Sequence, residues 1–145
     1  MSGLEITDSF GPMLKKAVGN FGSSVERATG RNAALLQRNV EVGIRRQKYK
    51  SDWPSLKEET LKVKAKEKKS NLILIGEGDL SSSFEVIKHS LGIYEVGTMS
   101  PYARAHEFGY EAKGIPARPY FRPAMDDSFN QMKENWSNAL KEIFK

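Results

Sequence analysis

Apolar positions recur at helical spacing at both ends of the chain and alternate in the middle. Near the C-terminus Met125, Phe129, Met132, Trp136, Leu140 and Ile143 follow one another in steps of three and four. That stripe predicts an amphipathic helix over about residues 122–144. Toward the N-terminus, residues 6–50 read as mostly helical. Leu36, Val40 and Ile44 fall four apart on one face, with Val25 and Ala28 near its extension, while Glu26, Arg31, Arg38 and Glu41 point elsewhere. Asp8 or Ser9 is placed to cap a first piece, with Pro12 in its first turn. Gly19 and Gly22 are expected to interrupt it, leaving a stronger piece over about residues 24–48.

The middle of the chain reads as strands. Residues 84–88 alternate partly and residues 93–97 clearly, and His89 to Gly92 between them have hairpin length. The run Leu72-Ile73-Leu74-Ile75, ending at Gly76, is counted with the strands. Trp53-Pro54 ends the helical region, because the residue before proline resists helical angles. Ser55 then reads as an N-cap, with Glu58 at the capping-box position of a short helix. Pro101 opens a second short helix that Gly109 ends. Residues 110–119, with Gly114, Pro116 and Pro119, form either a second hairpin or a free arm. The fold class is therefore α+β: a long N-terminal helix, a small antiparallel sheet, a short helix and an amphipathic C-terminal helix. One domain spans residues 1–145, with a helical region at 1–50, a mobile basic loop at 62–71 and the sheet plus C-terminal helix at 72–145.

Composition narrows the function. A length of 145 residues suits one domain. With 39% hydrophobic and 28% charged residues, the chain is neither disordered throughout nor embedded in a bilayer. It contains no cysteine, which removes disulfides, thiolate nucleophiles and cysteine zinc sites. The first residues carry Glu5 and Asp8 and lack the basic-then-apolar order of a secretory signal, and Leu72 to Ile75 is too short to span a membrane. A soluble protein is expected, made in a cytoplasm or packaged into a particle.

The net charge of +5 is unevenly placed. Lys62, Lys64, Lys66, Lys68 and Lys69 crowd one stretch, and Arg45, Arg46, Lys48 and Lys50 another. Such runs attract phosphates. They are also common in solvated segments.

Candidate chemistry is sparse. His106-Glu107 begins like a zinc-protease helix, but Tyr110 stands where the second histidine belongs, and His89 is the one other histidine. His106 is expected to hydrogen-bond locally. The Gly76-Glu77-Gly78-Asp79 stretch lacks the lysine of a phosphate loop and reads as a turn. Ser81, Ser82 and Ser83 have no nucleophile elbow around them. Asp126 and Asp127 are adjacent and suit the start of a helix dipole. No catalytic, cofactor-binding or metal-ligating residue is expected, and no cofactor.

The order of short signatures says more. The chain reads Trp53-Pro54-Ser55-Leu56, then Leu72-Ile73-Leu74-Ile75-Gly76 and Leu80, then Tyr102-Ala103 and His106-Glu107-Phe108-Gly109, then Ile115-Pro116-Ala117-Arg118-Pro119-Tyr120-Phe121 before the last helix. This resembles the neck and virion-morphogenesis proteins of tailed bacteriophages, also described as minor tail, head–tail joining or tail-completion proteins. The resemblance covers roughly residues 53–125. Gly76-Glu77-Gly78 departs from the usual Thr-Gly pairing, and Tyr120 precedes Phe121 where phenylalanine often comes directly.

The resemblance implies a structural subunit of the virion that assembles as a homo-oligomeric ring, hexamer or dodecamer, at the head–tail junction or tail end. Its implied partners are other neck, portal-adaptor and tail proteins, with no membrane and no catalysis. Trp53, Leu56, Gly76, Leu80, Tyr102, His106, Glu107, Phe108, Gly109, Pro116, Arg118, Pro119 and Phe121 become the interface or structural-motif residues. The alternative is a DNA-binding accessory protein whose DNA-facing residues are Lys62, Lys64, Lys66, Lys68 and Lys69. Two prolines stiffen the segment around Arg118, which suits an arm that docks on a neighbour. The guanidinium is expected either to pair with a carboxylate within or between subunits, Glu107 being the candidate, or only to orient the start of the last helix.

Overall fold

Helix α1 (Phe10–Arg45) runs unbroken for 36 residues in the computed structural model, which describes residues 9–76 and 79–145. Gly19 and Gly22 do not divide it as expected. A helical glycine costs only about 1 kcal/mol against alanine, and docking along the helix outweighs that. Ser9 precedes the helix without a capping side-chain bond, and Asp8 lies outside the described residues. At the other end Gln47 takes a left-handed conformation with φ 54°. The Lys48 amide then reaches back to the Gly43 carbonyl at 2.9 Å, which closes the helix end.

Downstream come α2 (Glu58–Lys66), α3 (Asp79–Ser82), β1 (Phe84–Ser90), β2 (Ile93–Thr98), α4 (Ala103–Phe108) and α5 (Phe121–Ile143), with 3₁₀ turns at Lys50–Asp52 and Glu111–Lys113. The α+β reading holds, with two strands in the sheet among the described residues.

α5 lies antiparallel on α1 through small residues. Ser24, Ala28 and Ala33 of α1 and Ala124, Ser128 and Ala139 of α5 are buried. Polar bonds fix the register: Asn39 Nδ2 donates to Ser128 Oγ at 2.8 Å, Asn135 Nδ2 to Asn32 Oδ1 at 2.8 Å, and Arg27 to Glu142 at 2.8 Å. Of the apolar stripe, Ile143 is buried, Met132 and Trp136 are half-buried, and Met125, Phe129 and Leu140 are exposed.

The hairpin pairs Phe84 with Thr98 and Val86 with Val96. Directly paired residues share a face, and Phe84 and Val96 turn theirs toward the core under α1. Gln37 of α1 donates to the Phe84 carbonyl at 2.7 Å. Glu26 of α1 accepts from the Tyr94 hydroxyl, the Lys88 ammonium and, at 2.9 Å, the Gly92 amide. A two-stranded ribbon is marginal alone; α1 supplies the surface it lies on.

The core gathers Leu36, Val40, Ile44, Tyr49, Trp53, Ile73, Leu80, Phe84, Tyr120 and Ala124. The run Leu72 to Ile75 is a turn and not a strand, with Leu74 at φ 62°. Gln47 holds it there, donating to the Ile73 carbonyl and accepting from its amide, both at 2.8 Å. α2 starts at Glu58 after Lys57 with no side-chain cap, so the Ser55–Glu58 capping box does not form. α2 extends through Lys66, so the first part of the basic stretch expected as a loop is helical. No helix among the described residues is long and apolar enough to cross a membrane.

Candidate functional site

The short signatures, dispersed in sequence, meet at one end of the molecule. Trp53 Nε1 donates to the Pro119 carbonyl at 2.7 Å. Arg118 Nε donates to the Pro54 carbonyl at 2.9 Å, and its Nη2 to the Ser55 carbonyl at 3.0 Å. The Arg118 amide donates to the His106 carbonyl at 2.7 Å, and the Tyr120 hydroxyl to the Ala103 carbonyl at 3.0 Å. Proline fixes its own φ, which steadies the Pro54 and Pro119 carbonyls, while those of Ala103 and His106 belong to helix α4.

Within this chain Glu107 does not pair with Arg118. Its Oε2 accepts from the amides of Tyr120 at 2.8 Å and Phe121 at 2.9 Å, and its Oε1 from Arg122 at 3.1 Å. The first amides of a helix have no intrahelical acceptor and carry partial positive charge. Tyr120 at the N-cap offers no side-chain oxygen to them, so a carboxylate from α4 caps α5. Asp127, expected to balance the helix dipole, instead accepts from Lys48 at 2.7 Å and from the Tyr49 hydroxyl at 2.8 Å. The Lys48 ammonium first, then the Tyr49 hydroxyl, lowers the pKa of the Asp127 carboxyl.

Gly109, at φ 79°, lets two segments meet: an added Cβ would stand 2.9 Å from the Ala117 nitrogen. Tyr110 and Ile115 then bond mutually as an antiparallel bridge, their amide-to-carbonyl distances 2.8 and 3.1 Å. Residues 110–119 are thus bound to the body through Arg118 and Pro119.

The other motif residues divide. Leu80 is buried, and Leu56 and Phe121 pack half-buried against the core. Phe121 reaches the Phe84 ring at 6.2 Å between centroids. Tyr102 and Phe108 project outward, 66% and 75% exposed.

Beside this clasp opens a cavity of about 830 Å³. Lys57, Lys64, Lys69, Lys113 and Arg118 line it, with Asp79 as the one carboxylate among the described lining residues. Gly76, Leu56, Leu74, Ile75, Leu80, Ile115 and Pro116 contribute apolar or small wall, and Tyr102 and His106 also line it. Lys64 is turned inward and donates to the carbonyls of Ser70 at 3.0 Å, Leu72 at 2.7 Å and Ile75 at 2.6 Å. Burial, then the neighbouring Lys69 and Arg118 charges, lowers its pKa. Arg118 is 7% exposed, and burial works against its charge too.

His106 departs from the local hydrogen bond expected of it: its Nδ1 is buried without a partner. Burial, then Arg118, pulls its pKa down, favouring the neutral imidazole. Among the described residues no three His, Asp or Glu side chains gather as a metal site.

The basic run is not one surface. Lys62, Lys66 and Lys68 are exposed, Lys64 is folded into carbonyls, and Lys69 pairs with Glu67 at 2.8 Å. Sequence reasoning missed Lys57 and Lys113 on the cavity and Gln47 behind it. Their only local signal is a polar side chain in a loop or at a helix end.

A model of the phage virion morphogenesis family matches residues 5–141. An uncharacterized protein, MJ0331, of Methanocaldococcus jannaschii is 33% identical over 96 residues, covering 63% of this chain and 69% of that protein. No solved structure matches.

Proposed function

Because the chain belongs to the phage virion morphogenesis family, we propose that it is a structural subunit of a tailed-phage virion, acting by assembly and not by catalysis. The proposed place is the neck or tail end, as a head–tail joining or tail-completion protein that forms a ring with copies of itself. The observation that carries this reading is how the signature residues are used. Glu107, Arg118, Trp53 and Tyr120 spend their polar groups on backbone atoms of this same chain. Such bonds shape a rigid body; none of them presents an activated nucleophile or a paired acid and base.

The outer surface suits association. α1 continues past the end of α5; the carbonyl of Lys145, two residues beyond α5, accepts from Lys16 at 2.9 Å. Residues 10–16 of α1 are all exposed, Met13 and Leu14 among them. Large apolar side chains grouped on a projecting helix mark a contact surface.

Negative-stain imaging of the purified protein, with mass measurement in solution, tests the reading. Rings with a central opening, of hexamer or dodecamer mass, are expected. A strict monomer at high concentration, together with complete infectious particles from phage lacking the protein, would overturn it.

The exposed Lys62, Lys66 and Lys68 keep a DNA-contacting role in view. That reading predicts affinity falling steeply with salt and lost on neutralising those lysines.

A further inference from the structure

We propose that the cationic cavity is a socket for residues 4–8 of a neighbouring copy of this chain, an inference that rests on the ring reading above.

Among the described lining residues the socket carries five cations, Lys57, Lys64, Lys69, Lys113 and Arg118, against one carboxylate, Asp79. Arg118, nearly buried, gives the bonds described to two carbonyls, and no carboxylate among the described residues pairs with it. A buried cation in that state is costly, and a carboxylate delivered by a partner relieves the cost. His106 Nδ1 adds a buried polar atom with no partner. Lys57 and Lys113 stand exposed at the rim, and neither forms an ion pair among the described residues.

The walls also select the occupant. Leu56 and Ile115 make part of the recess apolar, so the ligand that fits carries apolar side chains between its carboxylates. A duplex phosphate backbone offers only anions on a convex rod and leaves those walls uncovered. Leu4, Glu5, Ile6 and Asp8 supply the required alternation.

Reach decides which copy supplies it. The cavity lies by the C-terminal end of α1, where Gln47 grips Ile73 next to Leu74 and Ile75 of the wall. α1 rises about 50 Å from Phe10 to Arg45 at 1.5 Å per residue. Residues 4–9 fully extended span less than about 20 Å. The chain's own segment therefore falls short of its own socket, which leaves a neighbouring copy to supply it. Arm at one end and socket near the other make a head-to-tail contact, the kind that closes rings.

The test is fluorescence anisotropy of a labelled peptide of residues 1–12 titrated with the full chain. Saturable binding is expected, weakened by about tenfold or more when the peptide carries Glu5→Lys and Asp8→Lys. A chain with Lys57→Glu and Lys113→Glu, both exposed positions that leave the fold intact by circular dichroism, loses the native peptide and gains the charge-reversed one. Equal affinity for native and reversed peptides, or no binding, overturns the proposal. So does duplex DNA competing for the same lysines more strongly than the peptide. Rings that form unchanged from a Glu5→Lys, Asp8→Lys chain overturn the socket while sparing the ring.

Discussion

At the scale of single residues, Glu107 has the most consequential contacts. One carboxylate satisfies three amides at the start of α5 and ties α4 to it. Removing a cap of this kind costs about 0.5–2 kcal/mol, and leaving buried donors unpaired about 1–3 kcal/mol. Glu107→Ala is therefore expected to lower unfolding stability in urea by about 2 kcal/mol. Glu107→Gln keeps an acceptor and loses the charge at the helix dipole, a loss of about 0.3–1 kcal/mol. Equal midpoints for wild type and the alanine variant would contradict the cap.

Glu26 makes a second residue-scale prediction. Lys88 first, then Tyr94 and the Gly92 amide, holds its carboxyl down from 4.5 to about 2. A carboxyl that ionises more readily in the folded chain stabilises the fold above its unfolded value, and that contribution fades as pH falls through the folded one. The stability difference between wild type and Glu26→Gln should hence be full above pH 4.5 and shrink as pH falls toward about 2. Denaturation midpoints taken across that window check it; a difference that does not vary with pH would refute it.

At the scale of the element, α1 contains glycines that look alike in sequence and differ in place. An added Cβ at Gly19 would meet nothing within 4 Å, while at Gly43 it would stand 2.7 Å from the Tyr49 ring. Tyr49 is buried and its hydroxyl is held by Asp127, so the ring cannot easily withdraw. Gly19→Ala should raise stability by about 0.5–1 kcal/mol through helix propensity. Gly43→Ala should lower it by about 1–3 kcal/mol through overpacking. Thermal melts of the two variants should move in opposite directions.

α5 teaches a related lesson. Its most regular apolar stripe was legible, and with it the helix. The buried face is rotated toward Ala124, Ser128 and Ala139, because small residues let two helix backbones approach. Periodicity reports the existence and register of an amphipathic helix, but the partner's shape selects which flank is covered.

At the scale of the whole molecule, folding and assembly draw on different residues. Met13 and Leu14 sit on the projecting turns of α1, 46% and 49% exposed and outside the buried core. Met13→Gln with Leu14→Gln should leave unfolding stability within about 0.5 kcal/mol of wild type, as for other exposed sites. The same double variant should reduce self-association in sedimentation velocity. A large loss of stability would show that the overhang packs within the subunit; unchanged association would remove it from the interface.

Local and compositional features were legible along the chain: the two flanking helices, the hairpin, the helix stop at Gly109 and, through the order of short motifs, the family. These follow from periodicity, turn chemistry and residue identity within a few positions. The loop expected at His89 to Gly92 is shorter, because β1 runs on to Ser90 through a register shift after Lys88. It took the folded chain to show that Glu107 caps α5 while Arg118 reaches Pro54 and Ser55, that Leu72 to Ile75 turns around Gln47, and that lysines far apart in sequence line one cavity. Those outcomes are choices among competing donors and acceptors brought close by the chain's path. No pattern along the chain records which of two chemically suitable partners will lie within 3 Å.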